Sequence, residues 1–130
     1  MQQITAQSLD EAQQGALRRV LDKLGDKWTF LIFAVLEDRP RRFNEIKREI
    51  GDISQRVLSM RLHDLERDGY VSRRVHPSTP PRVEYALTEI GCSVLHPVGK
   101  LLRWALESSL QIEESRKRYD LARLPRDVSG

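Results

Sequence analysis

The chain has 130 residues, 39% of them hydrophobic and 32% charged, with a net charge of +3. That length fits one domain, which buries about two-thirds of its unfolded surface and needs no disulfide or metal to fold. Cys92 is the only cysteine, which excludes an internal disulfide and a thiol-only metal site.

The N-terminal stretch MQQITAQSLDEAQQ is polar and has no signal core. No apolar run approaches the roughly 20 residues of a membrane span. The expectation is a cytoplasmic protein with no membrane partner. The three histidines, His63, His76 and His96, have no close ligand spacing, so no metal is expected. No nucleophile elbow or phosphate loop is present, and no cofactor or catalytic set is implied.

The first helix is predicted to start at Ser8, which with Glu11 has capping-box spacing. Leu9, Ala12, Ala16, Leu17, Val20, Leu21 and Leu24 follow at helical spacing. Gly25 is expected to end it in the left-handed conformation. Asp26 caps a second helix, about 27–36, with Trp28, Leu31, Ile32, Val35 and Leu36 as its apolar stripe and Trp28 as a core anchor. Pro40 stops it. A short extended piece leads to a third helix, about 44–50, with Phe43 and Ile46 inward.

Ser54 caps a fourth helix that ends at Asp68 before Gly69. The segments 70–75 and 83–87 read as strands around a loop with three prolines, His76 to Pro81. Thr88 caps a long C-terminal helical region, which Pro97 and Gly99 are expected to kink or split, since an internal proline removes a helix hydrogen bond. Residues from about 121 read as a frayed tail.

Helices followed by a basic hairpin make a winged helix-turn-helix, mainly α with a small β-hairpin, whose fourth helix enters the DNA major groove. Leu58, Leu62 and Leu65 form its inner stripe, and Arg56, Met60, His63 and Arg67 cluster opposite. Gln55 and Ser59 flank them. Arginine and glutamine are residue types that make bidentate contacts with guanine and adenine. Five basic residues (Arg39, Arg41, Arg42, Lys47, Arg48) face one acid between 39 and 48, and Arg73, Arg74 and Arg82 face none between 70 and 82. Either cluster alone reads equally as solvated charge. Together with the helix they form the footprint expected for a phosphate backbone. A winged helix that binds protein or RNA is the alternative, and it would show more apolar residues than Met60 on the exposed face.

The stretches GDKWTFLIFAVLEDRPRRFNEIKREIGDISQRVLSMRLHDLERDGYVSR and HPSTPPRVEYALTEIG resemble the HxlR-type, MarR-like bacterial regulators. The resemblance runs from about Gly15 to Leu106. It implies a homodimer that binds a pseudo-palindromic double-stranded DNA operator, with Ser54, Gln55, Arg56, Ser59, Met60 and His63 in the recognition helix (54–68). Lys27, Arg41, Arg42, Asn44, Arg73, Arg74 and Arg82 would contact the backbone.

It also implies a dimer interface from the first helix and C-terminal helices, placed at Leu9, Leu17, Leu101, Trp104 and Leu106. The whole chain, 1–130, reads as one such domain, with a core at about 15–106, a wing at 70–87, dimerisation helices at 88–120 and the tail at 121–130. A small-molecule effector is left open. Some relatives sense oxidants through a cysteine thirteen residues before the tryptophan. That position here is Gly15, so this chain lacks that sensor. Met60 stands where relatives often carry a polar base-reading residue. Cys92 is read as a small packing residue.

Overall fold

The computed structural model describes residues 8–125. The element order is α1 (Glu11–Leu24), α2 (Lys27–Leu36), β1 (Arg41–Arg42), α3 (Phe43–Ile50), α4 (Gln55–Arg67), β2 (Val71–His76), β3 (Arg82–Leu87) and α5 (Glu89–Arg123). The strands form one antiparallel sheet in the order β1-β3-β2. The chain divides into two compact units at the Ser93–Val94 step.

The first unit is held by one small core. Ile32, Phe33 and Leu36 of α2, Ile46 of α3, Ile53 of the turn, Leu58, Leu62 and Leu65 of α4, and Val71 of β2 are buried. The Phe33 and Tyr70 rings meet edge to face at 5.8 Å. Burying side chains of this size gains about 1.5–3 kcal/mol each relative to exposure, so the three leucines of α4 fix which of its faces turns outward.

Helix ends follow local hydrogen-bond chemistry. Asp10, not Ser8, caps α1. Its carboxylate accepts from the Gln13 amide at 2.7 Å, and the Gln13 side chain accepts from the Asp10 amide at 3.0 Å. An ionised carboxylate is also favoured at the positive end of the helix dipole. Ser54 Oγ accepts from Val57 N at 3.1 Å and starts α4. Gly69, φ 85°, closes α4 in the left-handed region. Gly25 differs from expectation. Its φ is −75° and its amide donates to Leu21 O at 2.8 Å. A Cβ there would also lie 2.8 Å from Leu21 O, so lack of room, rather than handedness, favours glycine.

Two further expectations are corrected, and the extended piece acquires a partner strand. Trp28 is only half-buried, and Thr29, Ile32, Phe33 and Leu36 are the buried positions of α2. The segment KWTFLIFAVL is apolar nearly all round, so its pattern locates the inward face poorly. The short extended piece is strand β1, with Arg41 opposite Tyr85 and Arg42 opposite Glu84. The C-terminal helix is not split. Pro97 lies inside α5, and α5 continues through Arg123, into the expected tail. The rest of that tail, 126–130, lies outside the described residues.

The start of α5 is wedged against the end of α4. Thr88 N donates to Tyr70 O at 3.1 Å, and Thr88 Oγ1 bonds Gly69 O and accepts from Gly91 N at 3.2 Å. A Cβ on Gly91 would lie 2.2 Å from Tyr70 O, so no other residue fits without moving the backbone.

Candidate nucleic-acid interface

The outward face of α4 follows from its buried one. Gln55, Arg56, Ser59, Met60, His63 and Arg67 are exposed. Ser54 is exposed too, with its hydroxyl engaged in capping. Met60 is 47% exposed and is the large apolar side chain on this face.

An ionic frame that the sequence pattern does not reveal ties α4 to α1 and to the start of α2. Asp26 caps α2 through the Thr29 amide at 3.1 Å and hydroxyl at 3.2 Å. The same carboxylate oxygen accepts from Arg61 Nε of α4 at 2.8 Å. Burial raises the Asp26 pKa, but the Arg61 and Thr29 hydrogen bonds and the Arg61 charge outweigh it. The carboxyl is held below its ordinary value. Lys23 of α1 pairs with Asp64 of α4 at 3.3 Å. The available signal for Arg61 is its place on the flank between the buried and exposed stripes, where a long side chain reaches a neighbouring helix end.

The basic residues divide into committed and free. Arg41 is committed. Its side chain is 11% exposed and pairs with Glu49 and, at 3.2 Å, with Asp38. In this structure it closes the β1–α3 corner instead of standing free. The Arg41 hydrogen bond and charge hold the Asp38 carboxyl below its usual range. Glu45 is likewise lowered, chiefly by the Arg42 amide, 3.2 Å away, and it also meets Arg39 at 3.5 Å.

Lys27 is exposed, with its Nζ 4.4 Å from the Trp28 ring centroid. Asn44 is exposed near the start of α3. Arg42, Arg56, Arg73 and Arg74 are exposed and make no ion pair among the described residues.

The wing departs from expectation in its counter-charge. No acid lies between 70 and 82, but Glu84 follows on β3. Its carboxylate meets His76 Nε2 at 3.2 Å and Arg82 Nε at 3.8 Å. Arg73 and Arg74 are successive residues of β2, so they project from opposite faces of the hairpin. In the loop, Ser78 Oγ donates to Pro80 O at 2.6 Å.

The expected interface residues stand as follows. Leu9 is half-buried, while Leu17, Leu101, Trp104 and Leu106 are 47%, 62%, 58% and 68% exposed. Cys92 is exposed, not packed as expected. No helix among the described residues is long and apolar enough to cross a membrane.

A buried three-helix core, an exposed polar helix after a short turn, and a two-stranded wing define a winged helix-turn-helix transcriptional regulator. The chain belongs to the HxlR-like helix-turn-helix family, whose pattern matches residues 23–113. An HTH-type transcriptional regulator of Methanothermobacter thermautotrophicus is 44% identical over 84 residues, 65% of this chain. The chain spans 64% of that relative's length.

Among solved structures, diamide-treated YodB from B. subtilis is 37% identical with a TM-score of 0.65, over 77% of this chain and 95% of that one. A MarR-family transcriptional regulator from Enterococcus faecalis V583 is 30% identical with a TM-score of 0.68, over 87% and 99%. The family and these relatives are regulators of transcription, not enzymes.

Proposed function

We propose that this chain is a single winged-helix domain that binds a pseudo-palindromic DNA operator as a homodimer, with α4 in the major groove and the wing along the backbone. The observation that carries the reading is the exposed face of α4. Gln55, Arg56, Ser59 and His63 lie there, and Arg56 is free of internal ion pairs among the described residues. A free guanidinium near the start of a groove-entering helix suits bidentate contact with guanine. Arg42, Arg73, Arg74 and Arg82, with Lys27 and Asn44, supply contacts to phosphate, which position the helix without reading sequence.

The dimer reading rests on apolar surface that the single chain leaves uncovered. Leu17 and Leu21 of α1 and Leu101, Trp104, Leu106 and Leu110 of α5 are large and exposed. Exposed apolar area on this scale marks an interaction surface.

The test is selection of bound fragments from random duplex DNA by the purified chain, with Arg56→Ala alongside. The expected result is an inverted-repeat motif for the wild type, with discrimination abolished at one position per half-site in the variant. That change amounts to about 1–3 kcal/mol at the position. An unchanged motif in Arg56→Ala would mean that another face of α4 reads the DNA.

A further inference from the structure

The outer face of the sheet carries a charge arrangement beyond a general basic wing. The strand register puts Arg42 of β1, Glu84 of β3 and Arg74 of β2 in one row, with Arg82 opposite His76 beside it. Side chains alternate along a strand, so these five share a face. Val71, which is 2% exposed, belongs to the other face, as does the inward Arg41. The shared face is therefore the one turned away from the core.

Glu84 is the only acid among the five. One carboxylate oxygen meets His76 Nε2 at 3.2 Å and the other meets Arg82 Nε at 3.8 Å. His76 and Glu84 are each about one-third exposed.

Two sets of charges act on the His76 ring. Arg74 on its own strand, Arg82 on β3 and Arg42 on β1 oppose an imidazolium there. Glu84 favours one. A DNA phosphate laid on this face would favour one as well, and would also draw Arg82 and His76 away from Glu84. Histidine is the side-chain type that changes charge near neutral pH.

Resting on the DNA-binding reading above, we propose that His76 is a phosphate-contacting residue that takes up a proton when DNA binds, with Glu84 as the internal counter-ion that competes with phosphate for the wing. The carboxylate occupies His76 and Arg82 in the free protein and so limits adhesion to arbitrary DNA. The proton comes from solvent and resides on the imidazole, and no covalent bond changes. By linkage, a protein that gains a proton on binding binds more tightly as pH falls.

Fluorescence-anisotropy titrations of the full-length chain test this at fixed ionic strength between pH 5.5 and 8, against a selected operator and a random duplex. Affinity should rise by roughly threefold to tenfold from the alkaline to the acid end, the range in which imidazole titrates. His76→Gln should flatten the profile. His96→Gln, on α5 and outside the proposed interface, should keep the wild-type pH slope.

Glu84→Gln should tighten binding to random duplex more than to operator and move the pH-sensitive range downward, because the imidazolium has no carboxylate beside it. NMR titration of the His76 ring provides a readout free of affinity, and its midpoint should rise when DNA is bound. DNA binding that is independent of pH overturns the inference and leaves the proposed function standing. So does a slope that persists in His76→Gln, or a Glu84→Gln variant that binds random DNA more weakly. If the chain binds no DNA at any pH, both proposals fall.

Discussion

Helices α4 and α5 both carry leucines at helical spacing, and the two sets end in opposite environments. Leu58, Leu62 and Leu65 of α4 are 0–1% exposed, while Leu101, Leu106 and Leu110 of α5 are 62–68% exposed. From Val94 onward no described residue is buried. A period of 3.6 says which side chains need cover, but not what covers them. In α4 the cover is the chain's own α2 and α3. Past Ser93 the leucines of α5 find no such cover within their own unit, which is why the dimer reading rests there.

The largest effect should come from the covered helix. Leu62→Ala removes a side chain that is 1% exposed and leaves a cavity in the small core of the first unit. The expected destabilisation is about 2–5 kcal/mol, read as a lower urea midpoint at fixed protein concentration. A change under about 1 kcal/mol would mean the site collapses freely, and the contrast with α5 would weaken.

Trp104→Ala should do the reverse. It ought to leave the far-ultraviolet circular dichroism of the first unit intact and shift the assembly toward monomer. Interface tryptophans at the centre of an interface commonly carry about 2 kcal/mol or more of association. Light scattering over a dilution series measures it. A full-length wild-type chain that is already monomeric at micromolar concentration would remove the dimer from the proposal.

The same contrast sets how much of the fold is legible in the sequence. The elements of the first unit are legible because caps, turn glycines and leucine spacing agree with each other there. Ser54, Gly69 and the stripe of α4 specify one helix consistently. The stripe of α2 reads too far toward Trp28 because an all-apolar helix gives little angular information. The start of α1 reads as Ser8 by spacing alone, whereas Asp10 has the stronger, charged acceptor and Gln13 at the matching position.

At the candidate site, the exposed face of α4 is legible as the complement of its buried stripe. The state of the arginines is not. Charge counting treats Arg41 and Arg42 alike, although neighbouring positions on β1 point to opposite sides, one to Asp38 and Glu49 and the other to solvent. Glu84 escapes the sequence pattern for a similar reason. It lies on the return strand, beyond the basic run that ends at Arg82, and comes beside His76 only through strand register.

Asp26 offers a smaller test of the frame beneath α4. Its pair with Arg61 is partly exposed, so solvent screening discounts it, and Asp26→Asn should cost about 1 kcal/mol at neutral pH. The sign with pH follows from its depressed pKa. The stabilisation is fully present above the ordinary value of 3.8 and disappears as pH falls through the lower folded-state value. Wild type and variant should therefore converge in stability in acid. A gap that persists once the carboxyl is protonated would mean that the charge of Asp26 is not what stabilises this frame.

The smallest effect separates the two parts of the proposed interface, the helix that reads and the wing that holds. Arg74 is exposed and free of ion pairs among the described residues, whereas Arg82 already has Glu84 within 3.8 Å. A free arginine on phosphate releases counterions, and log affinity falls by roughly 0.9 per log unit of salt for each phosphate neutralised. Arg74→Ala should weaken binding to operator and random duplex about equally. It should also flatten the salt slope by about one unit for each phosphate that the variant dimer leaves unneutralised. Arg82→Ala should flatten it less, since removing Arg82 also releases part of Glu84. Arg56→Ala should change preference between sequences more than slope. Titrations at several salt concentrations against both duplexes distinguish these behaviours. If Arg74→Ala keeps the wild-type slope but no longer prefers a particular base step, the wing is sensing minor-groove width. The division into a reading helix and a holding wing would then give way to two reading elements.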